Sequence, residues 1–106
     1  MPDPKGSHMK KSLEDIKRIL RKEMSRLRVE FSVDRLELFG SYVRGDQTEE
    51  SDIDILVTYI ETPGLFGLLD LEYHLTDLLG SKVDLGTRAG LKEHVKPYVL
   101  AEAISV

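Results

Sequence analysis

The chain has 106 residues, of which 41% are hydrophobic and 32% charged, with a net charge of −4. That balance describes one small soluble globule and excludes a disordered chain, while no apolar run approaches the ~18 residues of a transmembrane helix. A domain of this length leaves no mass for a separate substrate-binding domain. Cysteine is absent, so disulfides, thiolate nucleophiles and cysteine-based zinc sites are excluded together, and a reducing cytoplasm is the expected location.

Residues 1–8 end in Gly6-Ser7-His8 and lead into Met9, the scar that a cleavable expression tag leaves. The natural start is therefore expected at Met9, with residues 9–106 forming a single domain. Residues 1–30 carry nine Lys/Arg against five Asp/Glu, and residues 31–106 carry six against fourteen, a local −8. A nucleic-acid-binding domain shows the reverse, a dominant basic surface, so nucleic acid is not expected as a direct substrate. Opposite charges interleave from Lys10 to Arg28, as on a solvated helix face.

In chain order, Ser12-Leu-Glu-Asp15 is a capping-box pattern, and Leu13, Ile16, Leu20, Met24 and Leu27 then form one apolar helical stripe. Arg35 to Phe39 alternates as a short strand and runs into Gly40-Ser41, where residues 41–44 begin a helical turn. Asp46 to Ser51 is a polar connection, and Ile53 to Tyr59 is a β-branched, apolar strand. Pro63 suits the first position of a second helix, with Leu65, Leu68, Leu69, Glu72, Leu75 and Leu79 inward, Leu71 and Leu78 widening that face, and Gly80 as its stop. Lys82 to Gly86 reads as a third strand. From Gly90 a helical pattern places Leu91, Val95, Val99 and Ala103 four apart, with a kink or two abutting helices at Pro97. This order predicts an α/β domain with helices packed on a small sheet.

Three places carry chemistry. Gly40-Ser41 lies at a strand-to-helix turn, where glycine admits a ligand to the backbone and free N–H groups face an anion. Alone, the pair serves equally as a turn and cap. Asp52-Ile53-Asp54 places two carboxylates on one face of a strand, with the isoleucines on the other. A lone Asp-x-Asp is also a common solvated strand start. Asp84 follows Asp54 by 30 residues, enough for one crossover helix and a return to the same sheet. If the strands are adjacent, three carboxylates with no basic residue between them make a hard-oxygen site suited to magnesium or manganese. The phosphate-binding turn upstream then completes a site for metal-assisted phosphoryl transfer.

Leu38-Phe-Gly-Ser-Tyr-Val-Arg-Gly45, followed by Ser51-Asp-Ile-Asp-Ile-Leu-Val57, resembles the nucleotidyltransferase signature of the DNA polymerase β superfamily. More closely, it resembles the minimal nucleotidyltransferase (MNT) group of prokaryotes. Ten residues separate Ser41 from Asp52, and the likeness continues through Lys82-Val-Asp-Leu85 and the closing Leu100-Ala-Glu-Ala-Ile-Ser-Val106. The resemblance implies the polymerase β-type α/β fold, an α+β arrangement with helices on a small mixed sheet. It implies that Gly40 and Ser41 hold the nucleotide β- and γ-phosphates and that Asp52 and Asp54 coordinate two magnesium ions. Asp84 would hold metal beside the attacking group and assist its deprotonation. Arg44 would lie near the triphosphate or brace the turn; a surface ion pair with Asp46 or Glu49 is the structural alternative.

The implied reaction is transfer of AMP from ATP to a hydroxyl. Larger relatives hold the acceptor in an added helical domain, so here a partner must supply it. MNT proteins resemble the antitoxin half of HEPN–MNT pairs, and this points to a HEPN-type toxin as partner and a tyrosine on it as acceptor. Two alternatives stand beside this reading: an antitoxin that neutralises by contact alone, and an oligomeric enzyme acting on a small molecule such as an aminoglycoside. Gly86 departs from the branched apolar residue usual after the third acid. Arg88 is read as solvated or as a contact to phosphate, His74 and His94 as surface or core-edge residues, and Tyr42 as packing.

Overall fold

A computed structural model describes residues 11–106. The proposed tag remnant and the start at Met9 lie outside the described residues. Helix α1 (Leu13–Phe31) opens on the expected capping box, in which Asp15 N–H donates to Ser12 Oγ and Ser12 N–H donates to Asp15 Oδ2, both at 3.1 Å. Its stripe buries Ile16, Leu20 and Leu27, with Leu13 and Met24 packed at the margin. Strand β1 (Val33–Phe39) starts two residues before the alternation suggests, and α2 (Ser41–Arg44) is a single turn. Strand β2 (Ile53–Tyr59) has the predicted bounds.

Helix α3 (Gly67–Leu79) does not begin at Pro63. Gly64 and Gly67 disfavour helix there, and Gly67 N–H instead closes a turn onto the Gly64 carbonyl at 3.0 Å. A Cβ at Gly67 would collide with the Pro63 ring, so glycine permits that turn. The later start moves the inner face to Leu71, Leu75 and Leu79, all fully buried, and leaves Leu65 88% and Leu69 43% exposed. Strand β3 (Val83–Gly86) is followed by a 3₁₀ turn (Arg88–Gly90) and by α4 (Lys96–Glu102). Pro97 therefore sits in the first turn of α4 and kinks nothing, because its missing N–H has no helical partner there. A two-residue strand β4 (Ile104–Ser105) that the periodicity did not reveal closes the chain.

The strands lie in the order β3-β2-β1-β4, with β2 and β3 parallel and the other pairs antiparallel. This is the small mixed sheet expected of the fold. One face joins Leu36, Leu38, Ile53, Ile55, Val57, Val83 and Leu85 to the apolar sides of α1 and α3. Each such side chain contributes roughly 1.5–3 kcal/mol on burial. Strand alternation turns Glu37, Phe39, Asp54, Leu56, Asp84 and Gly86 to the opposite face. Among the described residues, no helix is long and apolar enough to cross a membrane.

Candidate active site

The floor of the site is built by strand register. Asp54 of β2 is the direct partner of Asp84 on β3, and neighbouring strands lie ~4.8 Å apart, so the two carboxylates leave one face side by side. On its other side Asp54 pairs with Phe39, the last residue of β1, so the chain delivers Gly40 directly beside the acid. Gly40 has φ 83° and ψ −155°, a backbone state that L residues avoid, and a Cβ there would run into the Asp54 carboxylate. Glycine is therefore required twice, for conformation and for space.

Above this floor the turn is tightly bonded. The Gly40 carbonyl accepts from Val43 N–H and Arg44 N–H at 3.0 and 3.1 Å, and the Ser41 carbonyl accepts from Gly45 N–H at 2.8 Å. The Ser41 hydroxyl makes no hydrogen bond among the described residues. Gly40 N–H donates to Glu102 Oε2 at 2.6 Å, and Arg44 donates from one guanidinium nitrogen to both Glu102 oxygens at 3.0 and 3.3 Å. Arg44 also pairs with Asp46 at 3.4 Å, so the surface pairing weighed from the sequence forms, but its stronger partner lies 58 residues away.

Asp54 is half-buried, and its carboxyl is pushed up to about 6. Desolvation is the largest cause, followed by repulsion from Asp84 and Asp52, which nearby Arg44 partly relieves. Carboxylates crowded in this way, with oxygen donors only, fit a hard divalent cation by donor type and by charge. Asp84 itself is exposed, and Asp52 lies 3.8 Å from Lys82 Nζ. Among the described residues, no three His, Cys, Asp or Glu side chains stand grouped so as to hold a metal ion.

Lys82 corrects the expectation that no basic residue lies among the acids. The register that pairs Ile53 with Val83 brings Lys82 opposite Asp52, a consequence of parallel pairing that strand alternation alone does not show. Arg88 is partly solvated, as expected, but its guanidinium is engaged within the fold. It donates to both oxygens of Glu37 at 2.8 and 2.9 Å, and Glu37 is the one buried charged residue among those described. Glu102 was within reach of sequence reasoning only as part of the closing segment that shares the family likeness. Tyr42 is buried in the core, as expected. His94 is exposed, and His74 stands 3.7 Å from Glu23 and stacks near Phe31, away from the acids.

Comparison with known proteins gives one consistent result. The profile of the nucleotidyltransferase domain family matches residues 17–106. The protein adenylyltransferase MntA of Thermococcus cleftensis is 43% identical over 95 residues, spanning 90% of this chain and 96% of that protein. A solved structure assigned as a minimal nucleotidyltransferase superposes with a TM-score of 0.74 at 36% identity, covering 94% of this chain and 99% of the other. A toxin–antitoxin structure determined with AMP-PNP matches at a TM-score of 0.64 and 27% identity, over 79% of this chain and 69% of that one.

Proposed function

The chain belongs to the nucleotidyltransferase domain family, and on that premise we propose that it transfers AMP from ATP to a hydroxyl of a partner protein and so acts as an antitoxin. The observation that carries this reading is the pairing of Asp54 with Asp84 in register beside the Gly40 turn. Gly40 and Ser41 bind the β- and γ-phosphates through N–H and hydroxyl donors, and Arg44 adds a charge-assisted contact. Asp52, Asp54 and Asp84 would hold magnesium, the half-buried Asp52 and Asp54 together with the exposed Asp84. What bound magnesium supplies is activation of the attacking hydroxyl and neutralisation of charge on the departing pyrophosphate. Asp84, the exposed member of the pair, would take the proton of that hydroxyl.

The acceptor is a tyrosine of a HEPN-type toxin. The relatives that support a protein acceptor include an enzyme named as a protein adenylyltransferase and a toxin–antitoxin structure determined with AMP-PNP. A cysteine-free chain suits a cytoplasmic setting. The test is incubation with magnesium, α-labelled ATP and a HEPN-type toxin as the candidate partner. Label should appear on the partner's tyrosine with the wild type and be absent with Asp52→Ala/Asp54→Ala. Neutralisation of the partner that survives the double substitution, with no label on either protein, would replace transfer by neutralisation through contact.

A further inference from the structure

The two groups assigned above to the triphosphate already hold an anion, and it comes from the chain itself. Glu102 accepts from Gly40 N–H at 2.6 Å and from the Arg44 guanidinium at 3.0 and 3.3 Å. These partners lie 62 and 58 residues away, so the contact is made by the tertiary fold. A carboxylate and a phosphate offer a guanidinium the same forked pair of oxygen acceptors. Gly40 is buried, so its N–H would be left without a partner if Glu102 were elsewhere and no ligand were present. Glu102 is the last residue of a seven-residue helix, followed by a two-residue strand, and is thus carried on a small part of the fold.

We infer that Glu102 is an internal stand-in for phosphate, which keeps Gly40 N–H and Arg44 satisfied in the nucleotide-free protein and yields both to the triphosphate. This rests on the reading of Gly40, Ser41 and Arg44 as the nucleotide-binding turn. Glu102 is a positioning residue, since it acts through the two groups it holds. Displacement follows from charge: the Glu102 carboxylate and a triphosphate cannot share one N–H and one guanidinium without strong repulsion.

The test compares the wild type with Glu102→Gln by calorimetric binding of α,β-methylene-ATP, an analogue that cannot be cleaved at the bond in question, in magnesium. Glutamine keeps the length and an acceptor oxygen for Gly40 N–H while removing the competing charge. The variant should bind the analogue about three- to ten-fold more tightly than the wild type while melting at a lower temperature without it. Unchanged or weaker binding by a folded Glu102→Gln protein would show a plain structural brace and overturn the inference. If that variant does not fold, the wild type is read by NMR. The Gly40 amide and the Glu102 side-chain carboxyl should both shift as the analogue saturates, and a Glu102 carboxyl that stays put overturns the inference. No binding by either protein would instead remove the nucleotide reading itself, and the inference with it.

Discussion

At Asp54 burial, a carboxylate neighbour in register and a second acid two residues away all act in one direction, towards the protonated form. Its carboxyl, raised to about 6, binds a proton more tightly in the folded chain than in the unfolded one. The metal-free protein should therefore lose stability as pH rises from the ordinary carboxyl range through about 6, and be fully penalised at neutral pH. Fully expressed, a shift of this size would cost about 3 kcal/mol, and solvent screening of a half-exposed carboxylate reduces that to about 1 kcal/mol. Asp54→Asn should remove the penalty. In urea titrations with EDTA at pH 4 and pH 7, the variant should be about 1 kcal/mol more stable than the wild type at pH 7 and nearly equal at pH 4, where the folded carboxyl is protonated and the unfolded one substantially so, while losing transfer activity. A variant less stable than the wild type at pH 7 would mean that Asp54 is held by a compensating partner. The acids could be read from the sequence because strand alternation and a single crossover predict where they point. Lys82 and Glu102 could not, since the first depends on the parallel register and the second on a contact between distant segments.

At the level of elements, β2 was legible to the residue because a β-branched run bounded by polar residues has few alternatives. Helix α3 was legible as a helix but not in its phase. Leucines at residues 65, 68, 69, 71, 75, 78 and 79 allow more than one inward face, and the start of the helix decides between them. That start was hidden in the Pro63–Gly67 turn, where proline promised a first helical residue and the two glycines delivered a loop. The corrected face is open to measurement by chemical denaturation. Leu75→Ala, at a fully buried position, should cost about 2–5 kcal/mol, whereas Leu65→Ala should fall within about 0.5 kcal/mol of the wild type. Equal losses at the two sites would restore the original phase. The same reasoning explains α4, where the apolar spacing extends back to Gly90 and so predicts an interruption at Pro97, although residues 91–95 form no helix and α4 starts only at Lys96.

Taken whole, the molecule divides its sheet between two tasks. One face is given to the core with α1 and α3, while the other carries the acids and the Glu37–Arg88 ion pair. The two sides of the candidate site are anchored unequally. Asp54 lies on β2, hydrogen-bonded to strands on both sides, whereas Glu102 hangs between a seven-residue helix and the two residues of β4. Hydrogen exchange should show this directly: the amides of Ile55 and Val57 should open only with global unfolding, and those of Ile104 and Val106 by cheaper local excursions. Equal protection at both places would show the closing segment to be as firm as the sheet centre. A two-residue strand thereby acquires a kinetic meaning. The fraction of time for which β4 and the end of α4 lift away sets the population ready to receive nucleotide, and the apparent affinity is the intrinsic one scaled by that fraction. Changes to the pairing of Ser105 with Glu37, far from any phosphate, would tune how readily the protein loads.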